Sequence, residues 1–138
     1  SSDTIKWTYE ECLRMENCYM THNHPNGSTF SVNDVKFATY DRLKQIQAFG
    51  GGMRYTLTRL FDDDADMDMI SRYFGTVYEI EDRMAWENLL KDAAVRSESG
   101  VPFKQIQKSF AEEYNMWARE WFKEHAENFG WEYKEEPL

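Results

Sequence analysis

The sequence predicts an α+β protein, and three observations carry that prediction. Short alternating stretches rich in β-formers fall within the first 60 residues, Gly- and Pro-based turns punctuate them, and the rest of the chain shows helical apolar spacing. With 138 residues and 41% hydrophobic composition, the chain can bury one respectable core. One compact globule is therefore expected, with a mixed unit over residues 1–60 and a helical region over 61–138.

The elements follow in order. In "TYEECLRME", residues 8–16, a Thr at a cap position with acids in the first turn predicts a short helix. "CYMTH", residues 18–22, predicts a strand, which Pro25-Asn26-Gly27-Ser28 must stop, since Pro fixes one dihedral and Asn-Gly accepts positive ones. Ser31 and Asp34 match a capping box. The helix they open places Val35, Ala38, Leu43 and Ile46 on one face and is expected to end before Gly50-Gly51-Gly52. "MRYTLTRL", residues 53–60, alternates as a strand.

Beyond residue 61 the reading is helical. The acids of "DDDADMD", residues 62–68, suit the positive end of a helix that continues to about Val95, with a bend at Gly75. "SESGVP", residues 97–102, breaks it. Phe103, Ile106, Phe110, Trp117 and Trp121 then form one stripe on a helix ending near Gly130. The dense aromatics Trp117, Trp121, Phe122, Phe129 and Trp131 predict core, with a contact surface for a partner or a second copy as the alternative.

Charge divides the chain. Residues 1–60 hold seven Lys/Arg against six Asp/Glu, and residues 61–138 hold nine against nineteen, so +1 and −10 sum to the net −9. An acidic second half argues against a nucleic-acid partner, which needs clustered Lys and Arg, and suits a protein or peptide partner. No apolar run reaches the length of a membrane span and none has the layout of a signal peptide, so a soluble chain with no membrane partner is expected. Cys12 and Cys18 make no CxxC pair and are expected as reduced core thiols.

The chemistry concentrates in "HNHPNGSTFSVND", residues 22–34. Residues two apart on a strand share a face, so His22 and His24 present both imidazoles on one side. Asp34, in the first turn of the next helix, offers a carboxylate as third metal ligand. Zinc in a hydrolase typically takes three protein ligands and leaves a fourth position to water, whose pKa falls to about 7. Ser31 is positioned to donate to a developing oxyanion. Capping and turning account for Ser31, Asp34 and the Pro-Asn-Gly stretch equally well, so their ordered co-occurrence with the histidines carries the metal reading.

This run resembles the JAB/MPN (JAMM) metal-binding motif, in which His-x-His is followed by Ser-x-x-Asp, with an upstream Glu as base. It is most similar to the His-Asn-His-Pro form of RadC-type proteins and of JAB-like segments in bacterial and phage polymorphic toxins. The resemblance covers residues 8–60 and implies a partial JAB-like unit in which His22, His24 and Asp34 hold zinc and Ser31 assists the oxyanion. It implies a zinc-dependent hydrolase of peptide or isopeptide bonds, the effector piece of a larger toxin-like or phage-encoded protein. Six residues separate His24 from Ser31 where the familiar form has seven. Glu10, Glu11 and Glu16 are candidates for the base by elimination, and Glu16 is nearest in sequence to the histidines. The alternatives are a non-catalytic interaction module on the same scaffold, or a toxin domain whose chemistry lies in the helical half. A homodimer through the C-terminal helices is a further expectation.

Three other features carry less. Asp62, Asp64, Asp66 and Asp68 lack the Gly and Glu of a calcium loop in either register. Gly50-Gly51-Gly52 has neither the Lys-Ser/Thr of a phosphate loop nor dinucleotide spacing. His125, beside the aromatic stripe near a helix end, fits a dipole-compensating role.

Overall fold

A computed structural model describes residues 15–138. Four strands form one mixed sheet: β1 (Tyr19–Asn23), β2 (Gln45–Gly50), β3 (Met53–Arg59) and β4 (Trp131–Pro137). They lie in that order, β1 parallel to β2 and the other pairs antiparallel. Parallel neighbours need a crossover, which helix α1 (Val32–Tyr40) supplies. A helical hairpin follows β3, α2 (Ala65–Glu98) and α3 (Phe103–His125), and a short 3-10 turn (Ala126–Phe129) leads into β4. The chain is thus α+β. The short helix expected over 8–16, with Glu10, Glu11 and Cys12, lies outside the described residues save for its last two positions. Cys18 is half-buried against the core.

Register explains the core. One face of the sheet carries the rows Met20–Ile46–Leu57–Tyr133 and His22–Ala48–Tyr55–Glu135, and the other carries Gln45, Gln47, Thr56 and Thr58. Alternation of period two sends the apolar set one way, toward Val35 and Ala38 of α1, Phe74 and Tyr78 of α2, and Trp121 and Phe122 of α3. The rings interlock: Phe74 stacks on Phe129 at 5.1 Å, and Tyr78 lies 4.7 Å from Phe122. Trp121, Phe122 and Trp131 are core residues, and Trp117 and Phe129 pack half-buried against them.

Two boundaries differ from the sequence reading. The helix after Ser31 stops at Tyr40 rather than running to Gly50, because Asp41 caps it and Arg42 takes a positive φ of 51°. Leu43 and Ile46 still reach the core, one from the connection and one from β2, so the apolar spacing survives as a strand rather than as a helix face. The last residues are also not helical. Gly130 adopts φ 82°, ending the helical stretch as expected, and "WEYKEEP" becomes β4 along β3. Residues 61–138 therefore share the sheet of residues 1–60.

Asp64 caps α2 through Oδ1, which accepts from the Asp66 and Met67 backbone N–H groups at 3.1 Å. Gly75 is buried where α2 meets α1, and helix α2 continues through it. A Cβ there would come within 2.6 Å of Lys36 Cγ and 3.3 Å of Lys36 Cα, so the glycine permits a close helix crossing. Gly75→Leu is expected to lower stability by about 1–3 kcal/mol in urea melts, despite the better helix propensity of Leu.

A charged network ties β4 to α3. Arg119 grips Glu135 through Nε at 2.7 Å and Nη2 at 2.9 Å, the Tyr133 hydroxyl donates to the same carboxylate at 2.8 Å, and Lys123 adds a contact at 3.3 Å. Burial alone would raise the Glu135 carboxyl, but these donors, Arg119 foremost, bring it down to about 2. A depressed carboxyl stabilises the fold above its ordinary value of 4.5, and that contribution is lost as pH falls toward 2. Glu135→Gln is therefore expected to be less stable than the wild type in urea at neutral pH, with the gap closing across that acidic window.

Candidate metal centre

His22 sits on β1 and His24 one residue beyond its end, two apart on an extended backbone, so both rings turn to the helix-covered face of the sheet. Their centroids are 4.6 Å apart. Asp34 enters from the first turn of α1. Its backbone N–H donates to Ser31 Oγ at 3.2 Å and its Oδ2 accepts from the Ser31 backbone N–H at 2.9 Å, which is the reciprocal capping box read from the sequence. The cap thus does a second task. It fixes the carboxylate where the two imidazoles converge.

The distances are short and even. His22 Nε2 lies 3.2 Å from Asp34 Oδ1, His24 Nε2 lies 3.2 Å from Asp34 Oδ2, and the two Nε2 atoms are 3.2 Å apart. The three side chains offer ligand atoms within 4.8 Å of one another, and His24 and Asp34 are buried. This group can hold a metal ion.

The residues fit one well. Two imidazoles and a carboxylate with bond lengths of about 2.0–2.1 Å on a tetrahedral ion stand about 3.3 Å apart, close to what these atoms show. The outer shell is also in place. His24 Nδ1 donates to the carbonyls of Ser28 at 2.8 Å and Thr29 at 3.0 Å, which fixes the ring with Nε2 toward Asp34 and His22, where an ion would take the place of the Nε2 proton. Those carbonyls are themselves held. The Thr29 N–H donates to Asn115 Oδ1 at 2.9 Å, and Thr29 Oγ1 bonds the Tyr133 hydroxyl at 3.0 Å.

Electrostatics follow from the packing. Burial would push the Asp34 carboxyl up, but hydrogen bonds from His22 and His24 hold it well below the usual carboxylate range. The bond to Asp34 outweighs burial at His24 and raises its pKa above the ordinary imidazole value. Asp34 is therefore a carboxylate at neutral pH, the form a metal takes.

The glycine run that begins at the end of β2 has a steric reason. A Cβ on Gly50 would stand 2.3 Å from the His24 carbonyl oxygen and 2.9 Å from Gly27 Cα, so β2 can close on the histidine turn only without a side chain. Gly50→Ala is expected to displace His24 and weaken metal binding at the cluster by about tenfold or more, read by competition with a chromophoric chelator.

Ser31 is exposed at the rim of the cluster, its Oγ accepting from Asp34 and its proton left to donate outward. Glu16 is elsewhere. Its carboxylate pairs with Arg42 Nη1 at 3.0 Å, beyond the C-terminal end of α1, whereas Asp34 stands at that helix's N-terminal end. Arg42 also holds Asp68 at 3.2 Å. The structure thus joins His22, His24, Asp34 and Ser31, and does not bring Glu16 to them. Glu10 and Glu11 lie outside the described residues. His125 packs on Trp121 at 4.8 Å, away from the cluster residues.

Sequence reasoning missed the supports: Thr29, Asn115, Tyr133 and the wall of the helical hairpin that faces the site. Contacts such as Thr29 to Asn115, 86 residues apart, leave no local signal. Compared with known proteins, the chain matches no family model, no curated protein and no solved structure.

Proposed function

We propose that this chain is a zinc-dependent hydrolase of the JAB type acting on a peptide or isopeptide bond. The observation that carries the reading is the 3.2 Å spacing of His22, His24 and Asp34 on a strand end and a capped helix, in the order of the motif. Zinc bound there would act as a Lewis acid and lower the pKa of water to about 7.

The chain's own groups do the rest. His24 is oriented by the Ser28 and Thr29 carbonyls, Asp34 by the capping box, and both are shielded from solvent. The Ser31 hydroxyl, at the mouth, donates to a carbonyl oxygen as negative charge develops on it. Removing one such donor reduces turnover by roughly 10²–10³-fold.

A second reading has one specific observation in its favour. Glu16 is committed to Arg42, and among the described residues no carboxylate besides Asp34 belongs to the cluster. A metal-binding but non-catalytic interaction module on the same scaffold accounts for that.

Metal analysis after equilibrium dialysis separates both from a purely structural cluster. Near-stoichiometric zinc is expected, with none in the folded His22→Ala/His24→Ala variant. Protein that stays metal-free in micromolar zinc would reject both readings. Mass spectrometry of a peptide and isopeptide mixture then divides hydrolase from module, with Ser31→Ala expected to slow cleavage while retaining zinc.

A further inference from the structure

A groove of about 680 Å³ begins at His24, Ser31 and Asp34 and runs against the facing sides of α2 and α3. Its far wall is aromatic. Trp86 lies 4.7 Å from the Phe110 ring and 5.1 Å from the Tyr114 ring. At 41% exposure, Trp86 keeps much of its indole face out of the core, unlike Trp121 and Trp131. Ala111 and Ala118 line the same stretch of α3 and leave width beside the rings.

Charge narrows what could sit there. Asp34 is the one acidic side chain among the described lining residues, Lys and Arg are absent from them, and Asp34 is already engaged by both imidazoles. His24, the remaining titratable lining residue, is paired with Asp34, so a charged ligand group would lose its water and gain no free counter-ion, whereas an uncharged ring would lose little and gain stacking area. Asn115 adds direction. Its Oδ1 accepts the Thr29 N–H at 2.9 Å, which fixes the amide's orientation and leaves two Nδ2 protons to donate.

We propose that this groove binds an aromatic side chain of an extended peptide, beside the bond the hydrolase would cut, with Trp86 and Phe110 against the ring and Asn115 donating to a main-chain carbonyl. The placement beside a scissile bond rests on the metal-centre reading. The preference for an aromatic residue does not.

The test uses the full chain treated with chelator, so that binding is measured without turnover. Isothermal titration compares three blocked pentapeptides, acetylated and amidated, with Phe, Gly or Glu flanked by two alanines on each side. The Phe peptide is expected to bind about tenfold or more tightly than the other two. In Trp86→Ala, that preference should vanish with zinc uptake unchanged and the fold retained by circular dichroism, at some cost in melting temperature from the lost contacts to Phe110 and Tyr114. Asn115→Asp, which keeps the acceptor for Thr29 and removes the donor, should weaken the Phe and Gly peptides by a similar factor. Equal or unsaturable binding of the three peptides, or a Trp86→Ala variant that still prefers Phe, overturns the proposal. Zinc uptake on the same samples separates the two readings. Aromatic preference without zinc sinks the metal centre alone, and zinc without aromatic preference sinks the subsite alone.

Discussion

If the cluster is a zinc site, zinc at one hundred times its dissociation constant is expected to stabilise the wild-type chain by about 2.7 kcal/mol, since it would bind the folded cluster and not the dispersed ligands of the unfolded chain. For a domain of this size that is a rise of roughly 10 °C in melting temperature. The same zinc should leave His24→Ala unmoved. The alanine removes one of three ligand atoms and also frees the Ser28 and Thr29 carbonyls that its ring had engaged. Conservative replacement sharpens the test. Asp34→Asn keeps the volume and one oxygen but replaces the other with an amide donor where His24 Nε2 and the Ser31 N–H now meet acceptor oxygen. It should lose most of the zinc shift as well. Should His24→Ala be stabilised by zinc as much as the wild type, the ion binds elsewhere and the cluster is not its site.

The parts of this centre that were readable in the sequence are those set by local rules. A period of two placed His22 and His24 together, Pro-Asn-Gly turned the chain, and Ser31 with Asp34 wrote their own capping box. Each depends on residues within a few positions. What escaped the reading depends on distant partners. Ile46 of "QIQAFG" continues the apolar spacing of the preceding helix, and only pairing with β1 and β3 makes that segment a strand. "WEYKEEP" carries four charges in seven residues and no local strand signal beyond its aromatics, yet Trp131, Tyr133 and Glu135 face inward, and Glu135 is tolerated there because Arg119 meets it. The separation of Glu16 from the histidines likewise depends on Arg42, 26 positions later.

Truncating Trp131 is expected to produce the largest loss of stability of any single change considered for this chain, about 3–5 kcal/mol for Trp131→Ala in urea unfolding. Its side chain is fully buried, and its Nε1–H donates to Ser71 Oγ at 2.7 Å, a hydroxyl on α2 that is itself buried. Removal therefore opens a cavity and leaves the Ser71 hydroxyl without its donor, two effects that add. Trp131→Phe separates them, since it keeps most of the volume and should cost about 1–2 kcal/mol. The consequence reaches the candidate metal centre through β4. Trp131 begins the strand whose Tyr133 hydroxyl holds Thr29, and Thr29 presents a carbonyl to His24. If β4 is an integral strand, Trp131→Ala should weaken zinc binding although it touches no ligand. A variant that loses neither stability nor zinc affinity would mean that this last strand is dispensable, and the aromatic core would have to close without it.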